Sequence, residues 1–139
     1  MRRHLTVDQL GDLLELPLLA VLATCRRDGT ALLSPVWHEW RDGGFQVVTG
    51  SAGVKAAQLR RDPRASIVVC EDSLPYRGIE VRCRAQLVTS GVGDAVSRIA
   101  TRYLGQEAGA AYAARAADDL IIRLEPPDLR AWDFADELA

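Results

Sequence analysis

A chain of 139 residues with 48% hydrophobic content is long enough to close one core and too short for two ordinary domains, so a single domain over residues 1–139 is expected. Its 17 basic and 19 acidic residues leave a formal charge of -2, which offers no global attraction for nucleic acid or an anionic membrane and confines any phosphate recognition to a local site. Three scattered cysteines, Cys25, Cys70 and Cys83, form no C-x-x-C pair and have only two histidines as companions, which argues against a metal site and suits small buried thiols in a reducing cytosol.

The start, Met1-Arg2-Arg3-His4, lacks the apolar core and cleavage site of a signal peptide, and no run approaches membrane-spanning length, so a cytoplasmic location is expected. Thr6-Val7-Asp8-Gln9 reads as a capping box, followed by Val7, Leu10, Leu13 and Leu14 at helical spacing, which predicts a short first helix ending near Pro17. Residues 18–24 form an apolar run of strand length, Arg26-Arg27-Asp28-Gly29 a turn, and residues 30–40 a second extended run, together a hairpin. Asp42-Gly43-Gly44 makes another tight turn into a third strand over 45–49.

A small-residue turn then opens a short cationic helix, from Gly50-Ser51-Ala52-Gly53 through Lys55 to Arg60-Arg61, stopped by Asp62-Pro63. The first amides of a helix have no intrahelical acceptor and carry the positive end of its dipole, so a phosphate suits this place, with Ser51 adding a hydroxyl and Lys55 a charge. Arg60 and Arg61 are adjacent, roughly 100° apart around a helix, so one at most faces the anion, with Arg61 preferred.

Residues 65–71 are apolar and β-branched, and residues 79–88 alternate, with Val81, Cys83, Ala85 and Leu87 on one face and Glu80, Arg82, Arg84 and Gln86 on the other. Residues 92–117 are alanine-rich and helical in composition, broken at Gly105, and a last strand over 120–124 precedes Pro126-Pro127 and the aromatic tail Trp132-Asp133-Phe134. Period-two strands with few long helices predict a mainly β fold, an antiparallel barrel of six strands, with the cationic helix starting at its rim.

Leu22-Ala23-Thr24, Asp28-Gly29-Thr30, Ser34-Pro35-Val36-Trp37, Thr49-Gly50 through Lys55, Leu59-Arg60-Arg61-Asp62-Pro63-Arg64-Ala65, Val81-Arg82-Cys83-Arg84-Ala85 and Trp132-Asp133-Phe134, in this order, resemble the split-barrel flavin and deazaflavin oxidoreductases related to pyridoxamine 5'-phosphate oxidase. The resemblance spans nearly the whole chain. It implies a six-stranded antiparallel split β-barrel acting as a homodimer, with two cofactor sites at the subunit interface. It implies that Lys55, Ser51 and Arg60 or Arg61, near Thr49, hold the phosphate of a flavin-type coenzyme, and that Ser34, Pro35 and Val36 line its ring. It places Trp132 and Phe134 against the other subunit near the cofactor.

Within the family, the short length, the single lysine at the helix start and the Leu-Arg-Arg-Asp-Pro-Arg run resemble the actinobacterial binders of the deazaflavin coenzyme F-420. Riboflavin phosphate (FMN) is the rival, since its phosphate makes the same demands; a tetrapyrrole or no ligand is a third reading. The substrate-phosphate residues of true pyridoxamine phosphate oxidases are not found. The implied activity is hydride transfer between reduced F-420 and a conjugated small-molecule acceptor, and the alternatives are an FMN-dependent oxidoreductase or a carrier without turnover. Strand alternation puts Trp37 and Glu39 on one face and His38 and Trp40, with Ser34 and Val36, on the other. His38 and Trp40 are therefore substrate-pocket candidates, and the resemblance adds Tyr76, with Arg77 beside it, from the loop after Pro75 as a cap on that pocket. His38 is also the candidate proton donor, and no metal ligand is assigned.

Overall fold

The computed structural model describes residues 1–137. Two turns shape its first half. Gly29, with φ at 87°, closes the loop between β1 (Ala20–Cys25) and β2 (Ala31–Val36), which pair antiparallel from Cys25 opposite Ala31 to Ala20 opposite Val36. Asp42 and Gly43 both take positive φ, 52° and 75°, the backbone that a two-residue connection needs between the twisted strands β3 (Glu39–Arg41) and β4 (Gly44–Gly50). Next come α1 (Val54–Arg61), β5 (Arg64–Cys70), β6 (Gly78–Arg84), β7 (Gln86–Val88), α2 (Val92–Leu104), α3 (Gln106–Arg115), β8 (Asp119–Leu124) and β9 (Asp128–Trp132). One antiparallel sheet runs β2-β1-β5-β6-β9, the other β3-β4-β8-β7.

The mainly β architecture agrees with the sequence reading, but the described residues form nine strands rather than six. The run over 30–40 breaks at Trp37-His38, where the chain leaves one sheet for the other. The run over 79–88 breaks at Ala85, whose amide donates to the carbonyl of Pro63 instead of to a sheet neighbour. The tail after Pro126-Pro127 forms β9, which adds to the β6 edge with Ala131 opposite Ile79. The first helix is likewise replaced by two 3₁₀ turns, Asp8–Leu10 and Leu13–Glu15, parted at Gly11 with φ at 63°. The capping box still forms: the Thr6 amide donates to Gln9 Oε1 at 2.8 Å and the Gln9 amide to Thr6 Oγ1 at 3.4 Å.

Leu22, Phe45, Ile67, Ile79, Ile122 and Leu124 meet between the two sheets and are sealed by Leu10 and Leu13 from the 3₁₀ turns. Helix α2 lies outside this core, with Val96, Ile99 and Ala100 buried and Arg98 donating to Glu39 at 2.8 Å, while α2 packs on β4 and β8. Gly105, φ 86°, reverses the chain, and α3 returns so close to α2 that a Cβ on Gly109 would lie 2.6 Å from the Thr101 Cα. The cysteines are free, as expected; Cys25 and Cys83 are half-buried, but Cys70 is exposed because it ends β5 on its outward side. Burial pushes the Cys83 thiol up to about 11, so it stays protonated. Among the described residues, no helix is long and apolar enough to cross a membrane, and no three metal-ligating side chains converge.

Candidate functional site

The start of α1 has the character of an anion site. Its first helical bond is donated by Ala57 to the Gly53 carbonyl, so the amides of Val54, Lys55 and Ala56 have no acceptor within the helix. No side chain caps this end and no acidic residue stands in its first turn, so the positive end of the dipole is uncompensated. The Gly50–Gly53 turn that leads into it is closed by the Gly53 amide on the Gly50 carbonyl at 3.0 Å. Arg60 reaches back to this turn and donates to the Ser51 carbonyl at 2.8 Å. Arg61, the arginine preferred from sequence, points elsewhere: its guanidinium is bonded to the Cys25 carbonyl at the end of β1. Adjacent helical positions diverge, and here the divergence favours Arg60.

A cleft of about 390 Å³ opens beside Lys55. Pro35, Val36 and Trp37 form one wall where β2 ends, Val48 and Thr49 of β4 another, and Leu19 and Tyr112 the margins. Four residues expected to bind the cofactor, Pro35, Val36, Thr49 and Lys55, thus come together around one space. Ser34 and Ser51 do not line it. Ser34 lies within β2 opposite Leu22, and Ser51 turns its backbone to Arg60 and to Asp118, whose carbonyl accepts the Ser51 amide at 2.7 Å.

Trp37 is held from behind by α2. Tyr103 stacks on it with ring centroids 5.0 Å apart and planes 7° from parallel. The Tyr103 hydroxyl donates to the Leu18 carbonyl at 2.7 Å, accepts the His38 amide at 3.1 Å and lies 2.9 Å from His38 Nδ1. With its one hydrogen given to Leu18, the hydroxyl accepts from Nδ1–H, which fixes the histidine tautomer and leaves Nε2 buried without a partner among the described residues. Burial, reinforced by the Arg102 charge and only opposed by Glu39, lowers the His38 pKa to about 4. Burial likewise raises Tyr103 against the bonds that favour its ionised form.

The three substrate-pocket candidates do not gather at the cleft. His38 is wholly buried, because the break after Val36 turns its ring toward Phe45, 5.4 Å away. Trp40 packs edge-on against the same phenylalanine at 4.9 Å. Tyr76 is 44% exposed on the β5–β6 loop, its ring edge-on to Phe134 at 6.5 Å. Trp132 belongs to that neighbourhood: it lies on Gly78, where a Cβ would come 2.3 Å from its Cζ2, and under the Arg130 guanidinium at 4.7 Å. Arg77 ties the β5–β6 loop to the 3₁₀ turns through Glu71, Asp12 and the Leu10 carbonyl.

Tyr103, Tyr112 and Val48 belong to no motif in the sequence, and strand alternation puts Trp37 on the face opposite Ser34 and Val36. Tyr103 alone left a signal, four residues after the buried Ile99 on the inward side of an amphipathic helix.

The chain matches the family model described as pyridoxamine 5'-phosphate oxidase over residues 6–133. No curated protein sequence matches it. Among solved structures, a conserved hypothetical protein from Mycobacterium tuberculosis superposes with a TM-score of 0.80 at 24% identity, covering 97% of this chain and 89% of that one. An F-420 reductase superposes at 0.70 with 28% identity over 85% of this chain and 93% of its own. A FAD-binding protein from Mesorhizobium loti does so at 0.66 with 19% identity over 94% and 93%.

Proposed function

This chain belongs to the pyridoxamine 5'-phosphate oxidase family, and from that premise we propose that it is a reductase using the deazaflavin coenzyme F-420. The observation that carries the reading is the uncapped, uncompensated entrance of α1, with Lys55 beside it, opening onto a cleft walled by Pro35, Trp37 and Thr49. The likeness to an F-420 reductase at 28% identity supports the choice of coenzyme.

In this reading Lys55 and the amides of Val54 to Ala56 hold the coenzyme's phosphate, and Arg60 stiffens the turn that presents them. Pro35, Val36 and Trp37 exclude water from one side of the ring. When bound, the coenzyme would supply a hydride to a conjugated acceptor, whose reduction would take up one further proton. His38 is buried, neutral and committed to Tyr103, so it does not reach the cleft to supply that proton. The protein acts as a homodimer, in which a second copy covers Leu19 and Leu33, 58% and 64% exposed on the β1–β2 side.

Fluorescence titration with F-420, FMN and haem in parallel tests the coenzyme. Tight binding of F-420 and its oxidation in a single turnover with an enone is the expected result. Binding of FMN or haem alone rejects the reading, and bound reduced F-420 whose absorbance stays constant across acceptors turns the protein into a carrier.

A further inference from the structure

The cleft beside Lys55 has a second, more enclosed lobe of about 260 Å³, between the outward face of β4 and β8 and the buried side of α2. Val48 and Asp119 stand on its sheet side, Val96 and Ile99 on its helix side. Trp37 and Tyr112 wall both lobes, their rings 5.4 Å apart and tilted by 52°.

The two lobes carry opposite charge. Lys55 marks the first and Asp119 the second. Leu120, Ile122 and Leu124 of β8 point into the barrel core, so alternation sends Asp119 and Ile121 to the opposite face, under α2 and α3. Asp119 is half-buried and, among the described residues, enters no salt bridge and no side-chain hydrogen bond. A carboxylate in that position, beside two aromatic faces and an aliphatic wall, has the chemistry of a receptor for a cation on an apolar body: the ring quadrupoles attract the charge, the carboxylate neutralises it, and Val96 and Ile99 desolvate the remainder.

We infer that this lobe is the acceptor's subsite and that it selects an apolar conjugated substrate bearing a protonated or quaternary amine. The inference rests on the reading of the Lys55 lobe as the coenzyme's place, and it adds a polarity: the anionic coenzyme end is drawn to Lys55 and repelled by Asp119, so the two ligands sort themselves between the lobes.

The test uses three benzylideneacetones that differ only at the para position: trimethylammonio, its neutral isostere tert-butyl, and carboxylate. Their affinities are measured by calorimetry on the intact protein, with F-420 binding measured separately. The cationic probe binds about tenfold or more tighter than the tert-butyl isostere, and the carboxylate weakest. In Asp119→Asn the cationic preference shrinks to the part that the aromatic rings supply, while F-420 binds no more weakly. Equal affinity of the parent for the cationic and neutral probes overturns the inference without any variant, as does a preference undiminished in Asp119→Asn. Loss of F-420 binding by the parent with the Asp119-dependent preference intact rejects the coenzyme reading and leaves the cation subsite standing.

Discussion

Tyr103 lies flat against Trp37, 5.0 Å between ring centroids, while its hydroxyl leaves the stack to meet the His38 ring at 2.9 Å. One side chain of α2 thereby fixes a wall of the cleft and a buried imidazole at once, and the two roles separate by mutation. Tyr103→Phe keeps the stack and removes the hydroxyl, stranding the Leu18 carbonyl, the His38 amide and Nδ1. The expected loss is about 1–3 kcal/mol of stability, read by denaturant unfolding, with the near-ultraviolet signature of the tryptophans preserved. A variant as stable as the parent would show that these bonds contribute nothing net.

His38 makes stability depend on pH. Its folded pKa, about 4, lies below the ordinary value of 6.5, so the unfolded chain binds the proton first. The stabilisation is complete above pH 6.5 and is lost as pH falls from there toward 4, by about 3 kcal/mol in all. His38→Asn, whose amide replaces Nδ1–H toward Tyr103, flattens this slope. Unfolding free energies measured between pH 8 and 4 check it; parallel curves for parent and variant count against the assignment.

Lys55→Ala lowers coenzyme affinity by roughly ten- to a hundredfold, the worth of one charge-assisted contact, and shifts stability by less than about 0.5 kcal/mol. Lys55→Arg restores part of the affinity. Fluorescence titration beside a thermal melt separates the two effects, and unchanged affinity in Lys55→Ala would remove the phosphate site from α1.

The adjacent arginines behave differently. Arg60→Ala loosens the turn at Ser51 and weakens coenzyme binding several-fold, whereas Arg61→Ala, which releases only the Cys25 carbonyl, leaves it unaltered. The same titration decides between them, and a larger effect at Arg61 reverses the assignment.

Gly109→Ala places a methyl group 2.6 Å from the Thr101 Cα, against backbone that has nowhere to yield. Overpacking of this kind costs about 1–3 kcal/mol and pushes α3 away from α2. Because α3 carries Tyr112, which walls both lobes, the affinities for acceptor and coenzyme fall together, and steady-state KM values for the two substrates report it. Unchanged KM values for both would mean that Tyr112 keeps its place when α3 shifts.

Local chemistry was legible in the sequence wherever a single residue type dictates the backbone: Gly29, Asp42-Gly43, the stop at Asp62-Pro63 and the break at Gly105 all fall where expected. The start of α1 after the Gly50–Gly53 turn was legible for the same reason, whereas the meeting of Lys55 with Pro35 followed only from the resemblance to the split-barrel family. The strand breaks at Trp37-His38 and Ala85 were not, because they answer to sheet closure, which no local propensity encodes. That break also explains why His38 is buried: alternation counted along an unbroken strand puts it beside Val36 on the ring's side, and the change of sheet cancels the count. Leu129 and Ala131 alternate with Arg130 and Trp132 in β9, but the pattern is short and follows Pro126-Pro127, a sequence that ends a strand as readily as it precedes one.

The helical pair α2–α3 enters after β7 and leaves into β8, an excursion from the barrel that contributes Val96, Ile99 and Tyr112 to the space around Trp37 but not Lys55 or Pro35. The segment from Val92 to Asp119 can therefore change its acceptor while the barrel keeps Lys55 and Pro35 for the coenzyme. Grafting residues 92–119 between relatives carries acceptor preference with the graft.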